Sequence, residues 1–329
     1  MKAVHILGNK QLEIAEFPTP TPKDDQVLVQ VTASGVCGGE MHGFRGPDPS
    51  PMNSGHEVAG IIADPNGHPQ WEEGDRVGVF TLQGCGKCRW CRQGKDTFCK
   101  EVKIPRATHS QYTTSRASGM LKKPADISFP LAVLLGGDGL GVPMGATWKA
   151  GVKPGDVTCV IGCGPVGLGM VMCQAFLGAK VIGVEPNPAR RALAMKLGAW
   201  QTLDPTSTPD PAQALRDMTD GNGPEKVFEA SGRQESVDLY MNATAPDGTV
   251  VIVGHGKQTL DPQKLIVKRN LTIMGNWICH PALYPRMLSF ARSGLEPQRL
   301  ITGCYPFMQA QTAFERCEQG LEAKAILEW

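Results

Sequence analysis

The stretch VTCVIGCGPVGLGMVMCQAFLGAKVIGVE, residues 157–185, decides the fold. An apolar run rich in β-branched residues ends in Gly162, and Gly162, Gly164 and Gly167 follow in GxGxxG spacing ahead of an apolar helical stretch. Each glycine answers a separate need. Gly162 permits a tight turn, Gly164 lets backbone approach a pyrophosphate, and Gly167 allows helix and strand to pack closely. Pro165 and Val166 open the helix, whose N-terminal amides face phosphate, and Pro165 suits a first turn where an amide hydrogen is dispensable. Glycines alone would fit any flexible turn. Glu185 argues against that, because it closes the next strand where a carboxylate meets the adenosine ribose hydroxyls, and its charge repels a 2′-phosphate. NAD is therefore expected in preference to NADP, with Arg190 and Arg191 as the side chains able to accommodate the extra phosphate.

Downstream, the apolar runs KVFEA, GTVVIVG and LTIMGNW alternate with amphipathic segments such as NPARRALAMKLGA, the pattern of a parallel sheet covered by helices. Ser231 with Gly232, and Gly254 with His255 and Gly256, each follow such a strand and are candidate cofactor loops. Upstream, residues 1–130 are short β-like runs (VLVQVTASG, EVAGIIA, DRVGVF) separated by Gly and Pro, the texture of an all-β lobe. After about residue 300 the chain returns to a strand-like ITGCYPF, a helical AQTAFERCEQGL and a final AILEW, while TSTPDPAQ reads as a surface connection. A chain of 329 residues suffices for two cores. With 33 basic and 32 acidic side chains the net charge is +1, and without a long basic run nucleic acid is not expected as a partner. The opening residues lack the apolar core and cleavage site of a signal peptide, and no stretch suits a bilayer, so a cytoplasmic protein with no membrane partner is expected.

Of eleven cysteines, Cys85, Cys88, Cys91 and Cys99 fall in CGKCRWCRQGKDTFC. Thiolates at this spacing can wrap one tetrahedral Zn²⁺, and four protein ligands leave no position for substrate, so a structural zinc is expected. Four clustered thiols without a metal would be prone to oxidation. A nucleic-acid-binding zinc ribbon would use two separated pairs, which are absent here.

The order GVCGGEMH, GHEVAG, GDRV, the four-cysteine lobe and GCGPVG resembles the zinc-dependent medium-chain alcohol dehydrogenase family over essentially the whole length. The resemblance implies an α/β protein: a GroES-like catalytic domain over residues 1–140 and 281–329, interrupted by a Rossmann domain over residues 141–280. It further implies that Cys37 and His56 ligate a catalytic zinc. Asp138 falls at the family's next ligand position, counted back from Gly162, and aspartate keeps the site plausible while making it harder and more anionic. Glu57 matches a carboxylate that lies beside the metal and can enter its coordination. Glu40 matches the carboxylate that orients the ligating histidine. His42 matches the family's proton-passing histidine, whereas Gly39 stands where a Ser or Thr hydroxyl usually receives the substrate's proton.

The implied activity is hydride transfer between an alcohol and NAD, with two zinc ions per chain and a homodimeric or homotetrameric assembly. The anionic ligand set resembles the polyol and sugar branch. Phe44, Arg45, Asn276 and Trp277 are candidate pocket residues. Simple secondary alcohols or ketones are the second substrate class. A catalytically degraded NAD- and zinc-binding regulatory or structural protein is the alternative of another kind.

Overall fold

The computed structural model describes residues 1–49 and 55–329. They divide into two compact units, residues 1–141 with 280–329, and residues 142–279. In the first unit, β1 (Lys2–Gly8) and β2 (Gln11–Glu16) form a hairpin. There follow β3 (Gln26–Gly35), the short α1 (Met41–Arg45), β4 (Glu57–Asp64), β5 (Arg76–Val79), β6 (Tyr112–Arg116) and β7 (Met120–Lys122). Next come α2 (Phe129–Gly136) and α3 (Asp138–Lys149), the latter running on into the second unit. Along β3, Val27, Val29 and Val31 alternate inward to meet Val58, Ile62, Val77 and Val79, so one face of the antiparallel region is core. Ser128 caps α2 by accepting the Leu131 N–H at 3.3 Å.

The second unit contains β8 (Val157–Ile161), α4 (Pro165–Phe176), β9 (Lys180–Val184), α5 (Pro188–Lys196), β10 (Gln201–Leu203) and α6 (Pro211–Asp217). It continues with β11 (Lys226–Glu229), α7 (Glu235–Ala243), β12 (Thr249–Ile252) and β13 (Thr272–Gly275). Its six strands are parallel in the order β10-β9-β8-β11-β12-β13. The order reverses direction between β8 and β11, the switch point at which such sheets bind ligands beyond their C-terminal strand ends. Of the segment expected to be a loop, residues 211–213 already lie in α6, because Asp210 accepts the Gln213 N–H at 2.8 Å and caps it. Among the described residues no single helix is long and apolar enough to cross a membrane.

The chain re-enters the first unit with α8 (Tyr284–Phe290), β14 (Ile301–Pro306), α9 (Ala310–Glu318) and β15 (Lys324–Glu328). Strand β15 pairs antiparallel with β3, and β3 pairs with β4, so that Gly35 stands opposite both Ile326 and Glu57. This register brings the exit of β3 beside the entries of β4 and β15. Gly35 is needed there: a Cβ would stand 3.0 Å from both the Lys324 Cε and a Val133 methyl.

Two glycines of the nucleotide turn have opposite surroundings. A Cβ on Gly167 would fall far inside van der Waals contact with the Gly162 carbonyl oxygen, whereas one on Gly164 would meet nothing within 4 Å. Gly167→Ala should therefore cost about 1–3 kcal/mol. Gly164→Ala, at an ordinary φ of −69°, should stay within roughly 0.5 kcal/mol of the parent, both read by urea denaturation.

Candidate metal centres and cofactor site

Four candidate ligands meet where the three strand ends converge. Cys37 lies two residues beyond β3, His56 just ahead of β4, Glu57 is its first residue, and Asp138 opens α3. One donor atom from each lies within 4.8 Å of the others. The Asp138 Oδ2 stands 3.3 Å from His56 Nε2 and 3.9 Å from Cys37 Sγ. Gly137 allows this approach, since a Cβ there would come 2.5 Å from Glu57 Oε2.

The electrostatics show a cluster suited to a cation. Burial pushes the Cys37 thiol up, with the charges of Glu57 and Asp138 adding to the effect. Burial likewise raises Glu57. Burial alone would lower His56, but its hydrogen bonds to Asp138 and Cys37 prevail and raise it to about 12. The buried Glu57 Oε2 has no hydrogen-bond partner among the described residues. A sulfur, an imidazole nitrogen and two carboxylates, brought together with one carboxylate oxygen unpartnered, are a donor set that fits zinc.

The other Glu57 oxygen is bound by Lys324, the first residue of β15, and both side chains are buried. The ammonium is held above its ordinary value because its burial is outweighed by the charge of Glu57 and then of Cys37. Nothing in the sequence around Lys324 marks this role; it is one lysine ahead of an apolar strand. Glu40, on the turn after Cys37, accepts the Cys37 N–H at 2.8 Å and meets the buried His109 at 3.1 Å. Burial would raise its carboxyl, but the His109 charge and hydrogen bond hold it at about 2. His109 also belongs to no motif.

The remaining residues of the GVCGGEMH segment and the candidate pocket residues divide. His42 is exposed on α1, and a Cβ on Gly39 would meet nothing within 4 Å, so the space above this turn is open. Phe44 does not line a pocket: it is fully buried against Phe314, their ring centroids 5.4 Å apart. Arg45 turns away to Glu318 on α9, with its Nε 2.6 Å from the carboxylate. In the second unit the Asn276 amide lies 3.5 Å from the Val142 carbonyl, and Trp277 is half exposed.

The four-cysteine lobe also gathers, with one sulfur from each of Cys85, Cys88, Cys91 and Cys99 inside 4.8 Å of the rest. Amide hydrogens of Cys85 and Glu101 point at Cys99 Sγ from 3.4 and 3.3 Å. Backbone hydrogen bonds lower Cys85, and those from Cys91 and Trp90 lower Cys88 to about 7. Burial and the neighbouring Cys88 raise Cys91 in compensation. Four adjacent thiols cannot all ionise without a cation, and the amide cradle is already oriented toward thiolate. The set fits a closed zinc site.

The cofactor residues cluster on the second unit. Gly162, at φ +91°, makes the turn after β8, and Gly164, Pro165, Val166 and Gly167 lead into α4. Glu185 follows β9 and accepts the Cys163 N–H at 2.8 Å and the Asn187 N–H at 3.0 Å, which ties the carboxylate to the glycine turn. Arg191 is occupied by the Glu185 and Pro186 carbonyls and by Asp204, while Arg190 stands half-buried on α5. The Ser231 hydroxyl is spent on Glu229, at 2.5 Å, and on Ser236, at 2.6 Å, so its side chain shapes the loop. Glu229 also accepts the Gly232 N–H at 2.9 Å, and a Cβ on Gly254 would come 2.5 Å from its other oxygen. His255 is exposed at the tip of the adjoining loop.

The Lys324–Glu57 pair gives a test of the first unit. Lys324→Met leaves a buried carboxylate without its counter-charge and should destabilise the protein by about 3–5 kcal/mol. Adding Glu57→Gln should recover much of that loss in chemical denaturation; an unrecovered double variant would assign the loss to packing of the lysine stem.

Comparison with known proteins follows the same division. Residues 23–125 match the alcohol dehydrogenase GroES-like domain family, and residues 165–293 match the zinc-binding dehydrogenase family. L-threonine 3-dehydrogenase of Pyrococcus horikoshii is 32% identical, over 99% of this chain and 98% of its own length. Sorbitol dehydrogenase of Bacillus subtilis is 27% identical, over 97% of this chain and 94% of its own. The structure of alcohol dehydrogenase TADH from Thermus sp. ATN1 superposes with a TM-score of 0.89 at 24% identity, covering 100% of this chain and 99% of the other, and so shares the fold. Relatives matched end to end and the two domain families in their expected places show that this chain belongs to the zinc-dependent medium-chain alcohol dehydrogenase family.

Proposed function

We propose that the chain is an NAD-dependent dehydrogenase acting on a secondary alcohol of a polyol or sugar, with two zinc ions per chain and, following the resemblance, a homodimeric or homotetrameric assembly. The observation that carries this reading is the convergence of Cys37, His56, Glu57 and Asp138, with donor atoms inside 4.8 Å. Cys37, His56 and Asp138 would hold the catalytic zinc, with Glu57 beside it, and Cys85, Cys88, Cys91 and Cys99 the structural one. When bound, zinc supplies charge stabilisation at the reacting oxygen and the nicotinamide carries the hydride.

The chain's own residues do the rest. Lys324 holds Glu57 in place and offsets part of the negative charge of the donor set. Gly39 leaves room for a bridging water, and exposed His42 passes the proton to solvent as a general base. The amides at the start of α4 would receive the pyrophosphate of the cofactor, and Gly164 leaves their approach clear. Glu185, fixed by two amides, would meet the ribose hydroxyls of a bound NAD, and with Arg191 engaged by Asp204 Arg190 would be the member of this arginine pair left to meet a 2′-phosphate. Sorbitol and L-threonine, named in the two relatives, both carry hydroxyls flanked by polar groups, which favours a polar secondary alcohol over an aliphatic one.

Metal analysis with a substrate panel tests the reading. Polyols should give the highest kcat/KM with NAD, ahead of L-threonine and of 2-butanol; preference for 2-butanol would overturn the substrate class, and no turnover on any alcohol would overturn the activity. Two zinc ions are expected per chain. Cys37→Ser should remove one and abolish turnover in a folded protein, whereas Cys88→Ser should mainly lower stability. Glu185→Ser should raise the NADP-to-NAD ratio of kcat/KM by about tenfold or more. A parent enzyme that already prefers NADP would remove Glu185 from this role.

A further inference from the structure

We propose that His109 is a positioning residue of the metal centre: it holds Glu40 so that Glu40 and the backbone around it keep Cys37 and His56 in ligating arrangement. The inference rests on the metal reading above and concerns a residue outside every motif.

His109 sits just ahead of β6 and is fully buried, so no substrate reaches it. Both ring nitrogens are engaged. Nε2 lies 3.1 and 3.2 Å from the two Glu40 oxygens, and Nδ1 lies 2.8 Å from Ser34 Oγ. A carboxylate only accepts, so Nε2 carries a proton and donates it to Glu40. Ser34 in turn accepts the indole N–H of Trp329 at 3.3 Å, which ties the far side of the ring to β3 and to Trp329. Trp329, Ser34, His109 and Glu40 thus form one continuous hydrogen-bonded chain. From the other side Glu40 receives the Cys37 N–H at 2.8 Å.

The same segment braces the second ligand. The Thr108 N–H donates to the Gly55 carbonyl at 3.2 Å, and a Cβ on Gly55 would stand 2.9 Å from the His109 ring. Gly55 immediately precedes His56. The ring itself is fixed by an edge-on contact with Phe314, centroids 5.9 Å apart, and by the Val4 N–H bonded to the His109 carbonyl at 2.8 Å. One immobile imidazole therefore meets the supports of two candidate ligands that come from different strand ends. Partners at this remove from a metal set the orientation of its ligands, and their loss weakens metal binding by about 10- to 100-fold.

The test uses the full chain. Zinc affinity of the open site is measured by chelator competition, and that site is exchanged with cobalt(II) to record its d–d absorption, with the four-cysteine site as internal control. His109→Phe should weaken the open site by about tenfold or more and shift the cobalt spectrum, leaving the four-cysteine site unchanged. His109→Gln, which retains a donor toward Glu40, should bind more tightly than the near-isosteric His109→Met. This pair makes the same comparison if the phenylalanine variant does not fold. A merely structural role would lower the melting temperature of His109→Met and leave metal affinity and spectrum as in His109→Gln, and that result overturns the inference. A parent protein whose weaker metal site survives Cys37→Ser would instead overturn the metal reading itself.

Discussion

Three acidic donors, Cys37, Glu57 and Asp138, are packed around the single imidazole of His56, and the buried ammonium of Lys324 is what lets Glu57 sit among them. A buried carboxylate without a counter-charge would neutralise or move. The lysine arrives on β15, at the opposite end of the sequence from Cys37, and the pairing of β15 with β3 sets its place. The end of the chain is thereby part of the candidate metal centre. Returning it to the first unit after the nucleotide-binding unit is a requirement of the site as well as of the sheet.

Close approach is the second recurring constraint. Gly35 gives passage to the Lys324 stem, Gly137 to the Glu57 carboxylate, and Gly55 to the His109 ring. In the other unit Gly167 meets the Gly162 carbonyl, and Gly254 meets the Glu229 carboxylate. Each is a position where a methyl group would separate a polar side chain or a turn from its partner. Gly39 and Gly164 are the opposite case: a methyl group on either would meet open space, and both adjoin places where small molecules are expected.

Legibility in the sequence follows the range of the interaction. The glycine turn and the four-cysteine lobe are readable because each is built from residues within one short segment, whose spacing already implies its geometry. Cys37, His56 and Asp138 are readable through the resemblance, and the structure brings their donors together. Phe44 and Arg45 depart from the expected pocket lining because periodicity does not say which side of a one-turn helix faces the core. α9 decides it, taking Phe44 against Phe314 and Arg45 to Glu318. That the Ser231 hydroxyl in the candidate cofactor loop bonds the buried Glu229 carboxylate is likewise decided by packing.

By itself the sequence determined the parallel sheet with its nucleotide turn and the four-cysteine cluster, because these depend on local spacing and on the chemistry of single side chains, while the candidate ligands Cys37, His56 and Asp138 came through the family resemblance. Only the tertiary structure decided how the ligand cluster is balanced and braced. Lys324 and His109 have no neighbours in sequence that predict their partners; each acquires its role from strand register and from burial, which remove water as a competing partner and leave Glu57 and Glu40 as the groups to bind.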